Sequence, residues 1–185
     1  MKKLLYPLFT AILIAMLVVS PAGAGGVRIT FGLGSLIANV FAWGLPSSTD
    51  YTFTLTASGV ASVICTNNGG NQAPGQNSPH VDGSATNHIK PQDILKGGKV
   101  ITSLEATPEL EEKPNISWDV GGCPSSKWSA TVDFIFWESA EVKIVELATG
   151  NITTYPFDCD TTRTGPNSTP STFDDGVVTC EPASQ

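Results

Sequence analysis

Tyr51-Thr52-Phe53-Thr54-Leu55-Thr56-Ala57 places an apolar side chain at every second position and a threonine between each pair. That two-residue period belongs to a strand with one dry face and one wet face. β-Branched threonine also suits a pleated, half-buried surface. Gly59 then predicts a bulge or bend, and Val60 to Thr66 continues the strand. Further along, Trp128, Ala130, Val132, Phe134 and Phe136 repeat the period against Ser129, Thr131 and Asp133. Ala140, Val142 and Ile144 do so against Glu141 and Lys143. Ser35 to Trp43 reads as the first strand, Val100 to Leu104 as a short one and Ile152 to Phe157 as the last. Thr149-Gly150-Asn151 predicts a hairpin turn, and Leu45-Pro46-Ser47-Ser48 and Gly97-Gly98 punctuate other runs. No helical period is sustained; Pro91 to Leu95 offers a single turn begun by a proline. The expected fold is all-β, an antiparallel immunoglobulin-like β-sandwich of about seven or eight strands.

The N-terminus sets the compartment. Lys2 and Lys3 precede a nearly unbroken apolar run from Leu4 to Val19. Pro21 breaks that run, and Ala22-Gly23-Ala24 has the small residues of a cleavage site. This is the pattern of a secretory leader, too short for the ~20 apolar residues of a spanning helix. The expected organisation is a cleaved leader over 1–24, a β-sandwich domain over 25–159 and a polar tail over 160–185. The product is then secreted, or held at the cell surface, with no transmembrane segment after cleavage. Loss of Lys2 and Lys3 takes the formal charge from −7 to −9. An acidic chain with no basic cluster repels phosphate backbones, so nucleic acid is excluded as a partner class.

Four cysteines, Cys65, Cys123, Cys159 and Cys180, are an even number in an oxidising setting, which predicts disulfides. Three pairings exist. The preferred one joins Cys65 to Cys123, closing a long loop across the core, and Cys159 to Cys180, tying the polar tail to the body. No Cys-x-x-Cys spacing points to zinc.

Cys65-Thr66-Asn67-Asn68-Gly69-Gly70-Asn71-Gln72-Ala73-Pro74-Gly75-Gln76-Asn77 is followed later by Gly122-Cys123-Pro124 and a strand headed by Trp128. Together with Phe31-Gly32-Leu33-Gly34-Ser35-Leu36, this resembles small secreted bacterial and fungal proteins of unknown function, over roughly Phe31 to Ile144. The resemblance implies an extracellular β-sandwich-like domain and a bridge between Cys65 and Cys123. It carries no catalytic residues, and it does not extend to Cys159, Cys180 or the acidic tail.

No catalytic constellation is expected. Gly32-Leu33-Gly34-Ser35-Leu36 lacks the Gly-x-Ser-x-Gly of a nucleophile elbow. His80 and His88 share strand parity and are expected to face solvent together. Acid pairs such as Glu111-Glu112 and Asp174-Asp175 lie in polar stretches where no burial raises a carboxyl pKa. No cofactor is expected, although Asn67, Asn68, Asn71, Asn77 and Asp82 offer oxygen atoms that suit calcium. The loop from Asn67 to Pro79 is expected to be ordered against the body near Cys123, with Asn67, Asn68, Asn71, Gln76 and Asn77 as candidate binding residues. Trp118, in a loop, and Trp137, of opposite parity to Phe134 and Phe136, are candidates for stacking on a ligand. The expected function is a non-catalytic extracellular interaction module whose partner is a protein or a glycan. The alternatives are a carbohydrate-binding module or a strand-exchanging subunit of a surface assembly, which Val27 to Leu45 would serve.

Overall fold

The structure, a computed structural model, describes residues 17–19, 26–32, 35–109, 115–163 and 176–184. Most of the expected leader thus lies outside the described residues, as do 164–175 of the expected polar tail. Among the described residues there are eleven strands: β1 (Leu17–Val19), β2 (Gly26–Gly32), β3 (Leu36–Trp43), β4 (Tyr51–Asn67), β5 (Gln72–Pro74), β6 (His80–Ile89), β7 (Val100–Glu109), β8 (Asn115–Ile116), β9 (Trp128–Glu146), β10 (Ile152–Arg163) and β11 (Gly176–Pro182). The proline-initiated turn is a short 3-10 helix, Pro91–Asp93.

Every strand pairing is antiparallel, and the ladder runs β1-β2-β3-β7-β6-β4-β9-β10-β11, with β5 on β4 and β8 on β9. The all-β class read from the alternation is the class observed. β7 turns the corner: Val100–Ala106 pairs with β3, then Thr107–Glu109 pairs with β6. This one strand joins two curved halves into a single sheet. The sheet rolls until β11 comes against β2, so it is nearly closed into a barrel. The last strand does not end at Phe157: β10 runs on to Arg163, and β11 returns beside it.

β4 and β9, of 17 and 19 residues, form the spine. Phe53, Leu55, Leu36, Val40, Leu104, Val142 and Trp137 are fully buried inside the roll. Each large apolar side chain so buried contributes roughly 1.5–3 kcal/mol. The threonines of β4 between Tyr51 and Ala57 face outward, the division that their alternation predicted.

The pairing of β9 differs from its sequence period. Two register shifts interrupt its ladder with β4, at Ser58/Gly59 and at Ser62/Val63. Gly59 pairs with Trp137 while Ser58 pairs with Ser139, which leaves Glu138 as an extra residue. Asp133 is the extra residue of the second bulge. Each extra residue flips the faces of the residues beyond it. Val132 points inward, then Ile135 and Trp137, then Ala140, Val142 and Ile144. The expected run through Phe134 and Phe136 is therefore broken. Those two rings meet each other edge-on at 4.9 Å instead, and the Arg163 guanidinium lies 5.7 Å from the centre of the Phe134 ring. Gly59 fits its expected role as a bulge residue: a β-carbon there would lie 2.3 Å from the Phe136 carbonyl oxygen.

Candidate functional site

The loop after β4 is built by its own amides. The Asn67 side-chain oxygen accepts from the main-chain N–H groups of Gly69 and Asn71, at 2.9 and 3.0 Å. The Asn67 N–H donates to the Asn71 carbonyl at 3.0 Å, and Gly70 N–H donates to the Asn67 carbonyl at 2.9 Å. β5 then folds back on β4, with Cys65 opposite Ala73. Beyond it, Gly75 N–H donates to the Val63 carbonyl at 2.8 Å and Gln76 N–H to the Gly122 carbonyl at 3.3 Å. A β-carbon on Gly75 would sit 2.3 Å from the Gly121 carbonyl oxygen, so only glycine allows this approach.

Asn77 closes the structure from the far side. Its amide nitrogen donates to the carbonyls of Asp119 and Val120, at 3.1 and 3.2 Å. Cys65 is bonded to Cys123 just beyond. These contacts seat the segment against the body near Cys123.

These contacts sort the candidate residues. Asn67 spends its side-chain oxygen, and Asn77 its amide nitrogen, on holding the loop. Asn68, Asn71 and Gln76 are exposed. Trp118 is 40% exposed and Val120 43% exposed, in the turn that Asn77 grips. Beside them, the Asp119 carboxyl is held below its usual range, chiefly by a hydrogen bond with the Ser117 side chain. One end of the molecule therefore presents an indole ring, free amides and an ionised carboxylate on a fixed backbone.

Trp137 does not belong there. It is 1% exposed, inside the roll, because the Glu138 and Asp133 bulges set the inward face of β9 at Ile135 and Trp137. It cannot stack on a ligand. The expected relation, opposite parity to Phe134 and Phe136, holds; the face assigned to it does not.

A recess of about 420 Å³ opens next to β5, bordered by Ser62, Ile64, Gln72, Pro74, Asp133 and Arg163. Arg163 grips Asp133 with two nitrogens, at 2.5 and 3.3 Å, and the Asp133 side chain is 3% exposed. An isolated carboxylate this buried costs several kcal/mol, and the guanidinium offsets that. Nothing in the sequence period marked either residue, because the pair exists only where the β9 bulge meets the end of β10.

A second, shallower groove of about 540 Å³ runs along the outer face, with Ser58, Asp82, Ser84, Glu109, Glu141 and Asp158 among its walls. Ser58, His80 and Asp82 meet at its edge. The Ser58 hydroxyl lies 3.1 Å and the Asp82 carboxylate 3.2 Å from the same ring nitrogen, His80 Nε2. A serine-activating histidine instead needs the carboxylate on one nitrogen and the hydroxyl on the other. These three residues form a cross-strand polar cluster without that geometry. His88 Nδ1 pairs with the Thr52 hydroxyl at 3.2 Å, so both histidines lie on the outer face of β6, as their parity predicted. Among the described residues, no group of three or more His, Cys, Asp or Glu side chains is placed to hold a metal ion. Of the oxygens considered for calcium, that of Asn67 already accepts two main-chain N–H groups, and Asp82 faces His80.

Cys159 and Cys180 form the second disulfide, and no free cysteine remains among the described residues. The fold and its bridges define the class: a disulfide-bonded, all-antiparallel β protein with a nearly closed sheet and one end built from hydrogen-bonded loops. No family model matches the sequence, and neither a curated protein nor a solved structure matches it.

Proposed function

We propose that this is a secreted, non-catalytic binding module that uses its loop-built end to recognise an extracellular partner. The leader pattern and the two disulfides support secretion, since disulfides persist in oxidising compartments. The observation that carries the binding reading is the fixing of the Asn67–Pro79 loop. A recognition surface that is already ordered loses little conformational entropy on binding. Here the loop is tied by its own amides, by β5 and by Cys65–Cys123, while Asn68, Asn71, Gln76 and Trp118 stay exposed. The resemblance to secreted proteins with the same Asn/Gly motif fits this reading.

A glycan is the favoured ligand class because of Trp118. An exposed indole offers an apolar face to a sugar ring, and neighbouring amides and a carboxylate hydrogen-bond its hydroxyls. The test is a glycan array probed with the secreted protein and with Trp118→Ala. Binding that falls at least about ten-fold in the variant, roughly 1.4 kcal/mol, supports a saccharide ligand at this end. If no glycan binds, photo-crosslinking from position 118 on the producing cells tests for a protein partner. Absence of any crosslinked partner removes the loop end as the recognition surface. So does glycan binding that survives Trp118→Ala, Asn71→Ala and Gln76→Ala together.

A further inference from the structure

β2 has two edges, and two segments of this chain lie near one of them. Along the first edge, Gly26–Gly32 pairs with β3 over all seven residues. On the second lie residues 17–19 of the expected leader, with Leu17 opposite Ile29, Val18 opposite Arg28 and Val19 opposite Val27. β11 also comes within 8 Å of β2, Cα to Cα, yet no ladder joins the two among the described residues. Each main-chain N–H donates once, so a strand edge takes one partner at a time. While residues 17–19 hold Val27 to Ile29, β11 cannot.

β11 is suited to that edge in direction, length and facing. From β2 the ladder passes through β3, β7, β6, β4, β9 and β10 to β11, eight strands joined by seven antiparallel steps. An odd number of reversals leaves β11 antiparallel to β2, the relation between all other neighbours in the sheet. Both strands are seven residues long. Val27 and Ile29 belong to the core, and Val178 and Cys180 pack against it, so the inward faces agree. The main chain agrees as well. Ala183 N–H donates to the Pro156 carbonyl at 3.0 Å, in step with the β10–β11 register. By alternation, the N–H groups of Val177, Thr179 and Glu181 face β10, and those of Gly176, Val178 and Cys180 face the seam. The Cα atoms of Cys159 and Cys180 are 4.0 Å apart, the close spacing of a pair that exchanges no ladder bonds.

We propose that residues 17–19 act as a wedge in the unprocessed chain, and that their removal with the leader lets β11 pair with β2, closing the sheet into an eight-stranded antiparallel barrel. The new partner of β2 is a segment of the same chain that already lies beside it. The movement required is small, from within 8 Å to the roughly 5 Å that separates paired strands. Closure gives the seam-facing N–H groups of Val178 and Cys180 acceptors on β2 and removes an open edge from each strand. Processing is then also the step that completes the fold. This inference rests on leader removal and is independent of what the loop end binds.

The test is residue-resolved amide exchange on the secreted protein, with its N-terminus checked by mass spectrometry and its mass by sedimentation equilibrium. On an open edge, Val178 and Cys180 exchange fast while Val177 and Thr179, bonded to β10, exchange slowly. In a closed barrel all four are slow. In the processed monomer, Val178 and Cys180 are expected to exchange within about ten-fold of Val177 and Thr179. In the unprocessed chain, refolded with both disulfides, they are expected to exchange at least about 100-fold faster than those neighbours. If the unprocessed chain does not refold, the pattern in the processed chain decides. Alternating protection in the processed chain overturns the proposal, as does equal protection of all four amides in the unprocessed chain. Seam protection that appears only as the processed chain associates also overturns it, and makes a second copy the partner. A secreted chain that keeps residues 1–24 overturns it too, and places the failure in leader removal rather than in closure.

Discussion

The two disulfides hold two ends of the molecule in different ways. Cys159 and Cys180 sit directly opposite each other in the β10–β11 ladder, so their bond reinforces a pair that hydrogen bonding already makes. Cys65 and Cys123 are not ladder partners: Cys65 faces Ala130 on β9 and Ala73 on β5, and the bond draws in a loop that no ladder reaches. The sequence separations are 58 and 21 residues. In the chain-entropy account that difference favours the longer bridge by about 1 kcal/mol. The two ends also differ in redundancy. The loop end is fixed by a covalent bond, by β5, by Asn67 from within and by Asn77 from across, whereas β11 is held by one ladder, one bond and the packing of Val178 and Cys180 on the core.

The sharpest way to break this comparison is to remove the bridges separately. Cys65→Ala with Cys123→Ala is expected to cost about 4 kcal/mol of stability, read from urea unfolding. Amide exchange at Gly69 to Gln76 is expected to accelerate while β10 and β11 keep their protection. Unchanged exchange in the loop would show that Asn67, Asn77 and β5 suffice without the bond. Cys159→Ala with Cys180→Ala is expected to cost about 3 kcal/mol and to accelerate exchange in β11 alone. Equal effects of both pairs on the loop would erase the distinction between the two ends.

Asn77→Ala sharpens it further. It removes two hydrogen bonds to the Asp119 and Val120 carbonyls and is expected to cost about 1 kcal/mol. Its mark is local: the turn around Trp118 loosens, and Trp118 fluorescence shifts before the global transition. A cooperative loss of the whole fold at that cost would mean the turn is not a separate unit.

The one effect confined to alkaline pH lies at the opposite end of β4. Burial first, and the nearby negative charge of Glu146 second, push the Tyr51 hydroxyl up to about 12. An unfolded tyrosine titrates near pH 10. The fold therefore favours the neutral ring, and the stability this gives is fully present below pH 10 and lost as the pH rises through 12. Melting temperatures measured across that window are expected to fall less steeply in Tyr51→Phe. The part due to Tyr155, also raised by burial, remains in the variant. An unchanged slope would show that Tyr51 does not link titration to folding.

Much of this was legible in the sequence because it is local. Alternation in Tyr51 to Ala57 makes one face dry, and burial follows whatever the neighbouring strand is. Asn67 reaches only two and four residues along the chain, so an ordered turn can be read from its type and spacing. Gly59 announced a bulge because a missing β-carbon is visible in one letter. The tertiary structure decided what depends on two distant segments at once. The faces of Trp137 and Phe134 are set by the register of β9 on β4, and the bulges at Asp133 and Glu138 are properties of that pair, not of either strand. The clasp of Arg163 on Asp133, the clasp of Asn77 on the turn at Trp118, and the seam between β2 and β11 arise in the same way. A strand's period fixes which residues share a face; only its partner fixes which face is inside.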